Sequence, residues 1–398
     1  MNDDAPGGTS DRLELPWGEL ELERRPPAGR RPLRAWDAAD EYLLHEMEPG
    51  GPAERTLVVN DAFGALTVAL SARPTSTPPE LLTDSHVSVL ATRANLERNG
   101  LDPDSLRVHA GPDALPAEVT LQVDRVLVKV PKSVALLEEQ LRRIRRAVPA
   151  GTPVVGAAML RHLPRSAVEV FERVVGPTTT SRARKKARLV RAEVDASREP
   201  GEWGWPREYR APWGDVVVDH PGVHAAGRLD GGTAQLLAHL DLPDLDATAT
   251  VLDLGCGDGI VGLAVARAHP DARILGVDES HLAVASAELT FRRNLGPQHG
   301  ARFEVADVLE VRPGHSVVED ASVDVALVNP PFHHDRAVGD ETAWRMFTQA
   351  HRALRPGGEL RVVGNRHLAH HAKLSRIFGS SEVLSSDPRF VVCRAVRR

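Results

Sequence analysis

Residues 250–262, Thr-Val-Leu-Asp-Leu-Gly-Cys-Gly-Asp-Gly-Ile-Val-Gly, constrain this chain more than any other stretch. An apolar run breaks into three alternate glycines, Gly255, Gly257 and Gly259. Ile260, Val261, Leu263, Ala264 and Ala266 then follow at helical spacing. The pattern predicts a buried strand, a tight turn and a helix N-terminus. Glycine is needed there because the backbone must take unusual torsions and let a ligand come close to the main chain. The unpaired N–H groups that open the helix face the crevice above the turn. Gly257, Gly259 and Gly262 also satisfy a dinucleotide fingerprint, so the turn by itself leaves the ligand open.

A second stretch narrows the choice. Residues 324–332 read as an apolar strand that ends in Asn329, Pro330, Pro331 and Phe332. Residues 273–277 form another strand, closed by Asp278 about twenty residues past the glycines, where an acid can chelate ribose hydroxyls. Strand, glycine turn, helix, an acid ending the next strand and Asn-Pro-Pro-Phe ending the fourth resemble the S-adenosylmethionine-dependent class I methyltransferases. The last motif is similar to that of the amino-group N-methyltransferases. A dehydrogenase is disfavoured, because the first glycine follows the strand directly at Gly255 and no hydride-transfer machinery is evident.

The same order occurs earlier in the chain. After an acidic tip (residues 1–10, expected to be disordered), alternating apolar residues predict a hairpin over 13–22, and a short helix follows over 37–47. Strands are then predicted at 56–60, 80–84, 107–110, 124–132 and 153–156, with helices at 65–69, 88–99 and 133–148. Strands alternating with helices argue a parallel, doubly wound sheet. The second half repeats individual residues: Val123-Asp124 to Pro131 echoes Val323-Asp324 to Pro330, and Pro149, Ala150-Gly151 and Val154-Val155-Gly156 echo Pro356, Gly357-Gly358 and Val362-Val363-Gly364. The expected fold is therefore α/β, two tandem Rossmann-like class I methyltransferase domains arising by internal duplication. Residues 1–194 form the first, 195–207 a linker, and 208–398 the catalytic domain, with a strand at 215–220 and a lead-in helix at 232–240.

The copies are unequal. Where the second has its glycines, the first has Asn60-Asp61-Ala62-Phe63-Gly64, whose Cβ atoms and Phe ring would occupy the cofactor space. Where the second has Asn-Pro-Pro-Phe, the first has Lys129-Val130-Pro131-Lys132. The N-terminal copy is expected to keep the fold but neither to bind the cofactor nor to catalyse.

Within a methyltransferase each polar residue acquires a task. Asp253 can hold the ammonium of S-adenosylmethionine, directly or through water, and the backbone at Gly255, Cys256, Gly257 and Gly259 lines that pocket. Asp278 takes the ribose and Asp307 accepts from the adenine amino group. An exocyclic amine or amide nitrogen is a poor nucleophile because its lone pair is delocalised. The Asn329 side-chain oxygen and the Pro330 carbonyl can accept its N–H bonds, orient the lone pair and stabilise charge as it develops. The two prolines hold these acceptors still, and Phe332 offers a face on which a flipped-out base stacks. His333 and His334 extend the motif, where one could contact the substrate or relay a proton; no role follows from the sequence for His224.

Net charge is −6, which argues against global attraction to nucleic acid, but its distribution is uneven. Acids dominate the first fifty residues, whereas Lys and Arg outnumber acids over residues 101–200. Arg182, Arg184, Lys185, Lys186 and Arg188 are concentrated next to the hydroxyls of Thr178-Thr179-Thr180-Ser181. Such a run is commonly a solvated face; beside a methyltransferase it also suits RNA phosphate. Two cysteines make a disulfide framework unexpected, and no apolar run reaches bilayer length. A cytoplasmic, metal-free monomer is expected.

Taken together, the unequal duplication, Asn60-Asp61-Ala62-Phe63-Gly64-Ala65-Leu66, Gly176-Pro177-Thr178-Thr179-Thr180, Lys185-Lys186-Ala187-Arg188-Leu189, Asn329-Pro330-Pro331-Phe332-His333 and Gly364-Asn365-Arg366-His367-Leu368 resemble the bacterial large-subunit 23S rRNA guanine-N2-methyltransferases. The resemblance covers nearly the whole chain. It implies S-adenosylmethionine as cofactor, ribosomal RNA as substrate, and an inactive copy that helps hold RNA. The sister family acting on 16S rRNA shares the architecture and the Asn-Pro-Pro-Phe-His turn. Glutamine N-methyltransferases of translation factors also use Asn-Pro-Pro, but usually end the motif in Tyr and lack the paired copy. One departure stands out: Val223-His224-Ala225 occupies the place where the resembled family usually has Val-Phe-Ser.

Overall fold

The computed structural model describes residues 12–26, 33–47, 54–74, 77–115, 121–224, 227–242, 244–331 and 336–398. The acidic tip at 1–10, and Phe332, His333 and His334, lie outside them. The chain divides into two compact units, Met1–Trp203 and Gly204–Arg398.

Each unit is built on one seven-stranded sheet. In the first, the neighbours run Arg107–His109, Glu80–Leu82, Thr56–Val59, Arg125–Lys129, Pro153–Met159, Ala187–Glu193, Thr179–Thr180. In the second they run Arg302–Val305, Arg273–Asp278, Thr250–Leu254, Val323–Val328, Leu354–Asn365, Phe390–Val396, Glu382–Ser386. Counted along the chain within each sheet, both follow the order third, second, first, fourth, fifth, seventh, sixth. The central strands carry side chains that are buried on both faces; all six residues of Val323–Val328 are buried. This explains their nearly unbroken apolar sequence.

The expected parallel sheet needs a correction: both sheets are mixed. Their last two strands run antiparallel to their neighbours, Phe390–Val396 against Leu354–Asn365 and Ala187–Glu193 against Pro153–Met159. Short connections force this. Glu382–Ser386 and Phe390–Val396 are separated by Asp387, Pro388 and Arg389 alone, whereas a parallel crossover needs a dozen residues or more. The basic run at 182–188 thereby becomes the tip of an edge hairpin. Lys185 and Lys186 both sit at positive φ, +47° and +64°, between the paired Arg184 and Ala187.

The strand order of the second sheet reverses between Thr250–Leu254 and Val323–Val328, which pair in parallel with Leu254 beside Val328. Ligands of open α/β sheets bind outside the carboxyl ends of the strands at such a switch point. The next residues, Gly255 and Asn329, stand there. Gly259 is the N-cap of the helix Ile260–Ala268 at φ +80°, and a Cβ on it would lie 2.9 Å from Ala287 Cα. Torsion and steric conflict combine, so Gly259→Ala is expected to destabilise the C-terminal unit by about 2–4 kcal/mol. Urea unfolding of the variant and the parent checks this.

Candidate active site

The glycine turn is fastened to the neighbouring strand. Gly255 N and Cys256 N both donate to Val277 O, at 2.7 and 3.0 Å. Gly255, Gly257 and Gly259 all take positive φ, +81°, +54° and +80°. Desolvation raises the pKa of the buried Cys256 thiol well above its ordinary value, so the chain presents it as a neutral wall. At Gly257 a Cβ would meet nothing within 4 Å. Glycine there opens a free cradle above the main chain instead of relieving a packing conflict.

Carboxylates surround this turn. Asp278 accepts from Gly257 N and Ser280 N, each at 3.0 Å, one bond to each oxygen; burial raises its pKa. Asp253 is 4% exposed and accepts from Gly262 N at 2.9 Å, which commits one oxygen to the first turn of the helix. Desolvation lifts its pKa to about 7. Two further acids were not singled out from the sequence. Asp258 accepts from Ile260 N at 3.1 Å and from the Tyr209 hydroxyl at 3.0 Å. Asp219, fully buried at the end of the strand Val216–Asp219, accepts from Gly227 N at 2.6 Å and keeps Oδ1 without a partner. Burial, reinforced by Asp258, lifts its pKa to about 7. No periodic pattern marks these two; only the fold brings 209, 219 and 258 together.

Asn329 stands beside the turn: a Cβ on Gly255 would lie 4.0 Å from Asn329 O. Its Nδ2 donates to Thr233 Oγ1 at 2.9 Å, and its Oδ1 is buried without a hydrogen-bond partner. Pro330 is buried and Pro331 exposed. Thr233 comes from the helix Gly231–Leu237, whose N-cap Asp230 accepts from Gly232 N and Thr233 N at 2.9 and 3.1 Å. His224 Nε2 lies 3.7 Å from Asp230 Oδ1. The carboxylate raises the His224 pKa, and His224 in turn lowers that of Asp230. Asp307 is 3% exposed and carries an ion pair, at 2.8 Å, with Arg345 of the helix Arg336–Ala353. The expected adenine acceptor thus comes with a guanidinium partner that the sequence did not reveal.

The corresponding place in the first unit is occupied by the chain itself. Asn60, at φ +60°, exchanges hydrogen bonds with Gln140 at 2.7 and 2.8 Å and donates to Lys129 O. Lys129 stands where register puts Asn329 in the other sheet. Its Nζ is held by Asp37 at 2.7 Å and Asp40 at 2.9 Å, and desolvation lifts the Asp40 pKa to about 6. Phe63 is partly buried against the apolar cluster that includes Leu66, Leu81 and Leu96, with Arg24 over its ring at 4.5 Å.

On the edge hairpin, Arg182, Arg184, Lys185 and Lys186 are exposed and Arg188 is half-buried. Lys185 is paired with Glu41 at 2.6 Å, and the Arg184 guanidinium lies over the Tyr42 ring. Among the described residues no group of His, Cys, Asp and Glu is arranged to hold a metal ion, and no helix is long and apolar enough to cross a membrane.

This arrangement fits a cationic nucleoside-bearing donor seated against an amine acceptor. The open cradle at Gly257, the acids around the turn and the unpaired Asn329 oxygen each supply what that pair of molecules requires.

Comparison with known proteins agrees. A family model described as the RLMG N-terminal domain matches residues 10–196, and one described as the methyltransferase small domain matches residues 215–394. A Streptomyces avermitilis protein named ribosomal RNA large subunit methyltransferase G is 49% identical, covering 98% of this chain and 100% of its own length. One of the same name from Pseudomonas putida is 44% identical over 96% of this chain and 99% of its own. The solved structure of the T. thermophilus 16S rRNA N2 methyltransferase, in complex with AdoMet and guanosine, superposes with a TM-score of 0.75 at 26% identity, covering 97% of each chain.

Proposed function

The chain belongs to the ribosomal RNA large subunit methyltransferase G family, and from that premise we propose that it methylates the exocyclic N2 amino group of a guanine in 23S rRNA, with S-adenosylmethionine as donor. The observation that carries the chemistry is the buried, unpartnered Oδ1 of Asn329 at the mouth of the glycine turn. An acceptor left unpaired in a low-dielectric site costs about 1–3 kcal/mol, and an incoming amine N–H recovers it.

S-adenosylmethionine, when bound, supplies an electrophilic methyl group and leaves as the neutral thioether. Asp278 would hold the ribose hydroxyls and the backbone of Gly255, Cys256, Gly257 and Gly259 the amino-acid end, with Asp253 beneath it and Asp307 toward the adenine. Asn329 Oδ1 and the Pro330 carbonyl accept the two N–H bonds of the guanine amine, so that its lone pair points at the methyl carbon. Held so, the guanine amine would accept the methyl group and afterwards release its proton to water. Phe332 is assigned the stacking face for the flipped base.

Residues 1–194 are assigned as the degenerate product of an internal duplication that helps hold RNA, 195–207 as linker and 208–398 as the catalytic domain. The equal strand order of the two sheets and the self-filled place at Asn60 and Lys129 support that reading. The enzyme is assigned to the cytoplasm as a monomer. A 16S target is the weaker assignment, since the 16S enzyme is 26% identical and the large-subunit relatives are 44–49% identical.

Labelled methyl transfer to rRNA from a strain lacking the gene, followed by nucleoside analysis, tests the assignment. N2-methylguanosine in 23S rRNA is expected; label in 16S rRNA, in protein or on another atom overturns it. RNA contact by the hairpin is tested separately. Replacing Arg184, Lys185 and Lys186 by Gln is expected to weaken RNA binding and lower the slope of log affinity against log salt by about two, not three, because Glu41 already neutralises Lys185. An unchanged slope removes the hairpin from the RNA surface.

A further inference from the structure

The orientation of the Asn329 amide needs a cause. With Oδ1 inward the side chain offers an acceptor; rotated by half a turn it would offer two N–H donors to a substrate amine that is itself a donor. The inward orientation leaves a buried acceptor unpaired, which is costly until substrate arrives. Nothing intrinsic to asparagine maintains it, and the Nδ2 group gains its bond at the Thr233 hydroxyl, at 2.9 Å.

Resting on the assigned function, we propose that Thr233 is the positioning residue of the transfer reaction: its hydroxyl anchors Asn329 Nδ2 and so presents Oδ1 to the substrate amine. Thr233 touches neither donor nor acceptor; it acts through Asn329. Its own place is fixed from three sides. Asp230 caps Gly232 N and Thr233 N. His224 stands beside the other Asp230 oxygen at 3.7 Å. Leu236, on the same helix, is fully buried, and the helix begins so close to Phe390 that a Cβ on Gly231 would lie 3.2 Å from its ring. A helix held at both its cap and its apolar face gives the hydroxyl little freedom, as a group that orients a catalytic amide requires. His224 and Asp230 thereby acquire a place in the same chain of contacts, Asp230 reaching the reacting nitrogen through Thr233 and Asn329, and His224 through Asp230.

The test uses the full-length chain with 23S rRNA and S-adenosylmethionine. Thr233→Val keeps the shape and removes the hydroxyl; Thr233→Ser keeps the hydroxyl. The Val variant is expected to lose about 10–100-fold in kcat with donor Kd within about twofold of the parent, and Ser to restore kcat to within about threefold. In the Asn329→Ala background, Thr233→Val should cost almost nothing more, because the residue it positions is gone. Should Val misfold, the Ser variant and the double-mutant comparison with Thr233→Ala carry the test. Undiminished kcat in the Val variant, a fall confined to donor affinity, or an equal further loss in the Asn329→Ala background overturns the role of Thr233 while leaving the methyltransferase reading in place. A parent protein that transfers no methyl group to any rRNA overturns both.

Discussion

Asn329→Ala is expected to lower the rate of methyl transfer to rRNA by about a thousandfold while changing donor affinity by less than about threefold. The asymmetry follows from position. Gly255 and Asn329 follow adjacent strands, but the turn that would cradle the donor is fastened by Val277 O and Asp278, not by Asn329. Removing the side chain therefore leaves the donor cradle intact and withdraws the acceptor that stabilises an amine as it becomes positively charged. One well-placed polar group in such a role is worth roughly 2.7–4 kcal/mol, and the upper end of that range is the thousandfold. Asn329→Asp separates acceptor from donor functions: it retains an oxygen for the substrate but cannot donate to Thr233. Partial activity is expected. Stopped turnover in single-turnover assays, with calorimetry for donor binding, distinguishes these effects; equal losses in both measurements contradict the assigned role.

Asp278→Ala is expected to do the reverse, weakening donor binding by about 30–100-fold with a smaller effect on the rate at saturation. Hydrogen bonds to a charged group are worth about 1.5–3 kcal/mol, and each 1.4 kcal/mol is tenfold in affinity. Asp278 also accepts from Gly257 N at 3.0 Å, so part of the loss reflects a loosened turn. Asp278→Asn divides the two contributions, since an amide oxygen can still accept from Gly257 N but the second oxygen is gone. Intermediate affinity for Asn is expected. Full affinity in either variant, read by titration calorimetry, excludes Asp278 from the donor site.

How much of this was legible in the sequence depends on the length scale of each signal. The 13–22 hairpin, the central strands and the glycine turn were local patterns, and they stand as strands Arg12–Leu15 and Gly18–Glu21, Thr250–Leu254 and Val323–Val328. The antiparallel edges were missed because a strand such as Ala187–Glu193, reading Ala-Arg-Leu-Val-Arg-Ala-Glu, is masked by the charges around it. At the site, the residues with a motif were visible and their partners were not. Thr233 and Asn329 are 96 residues apart, Asp307 and Arg345 lie on different elements, and neither pair has a spacing that periodicity could detect. The same holds for the first unit, where sequence suggested that the Cβ atoms of residues 60–63 and a Phe ring take the cofactor space. The contacts that join Asn60 to Gln140, and Lys129 to Asp37 and Asp40, are ones that only tertiary structure assembles.

The proposal that only the C-terminal unit binds the donor is the claim from which the roles assigned to both halves derive. Calorimetric titration of the full-length protein with S-adenosylmethionine measures it directly. One molecule bound per chain is the predicted result; two per chain, or none at any concentration, contradicts it.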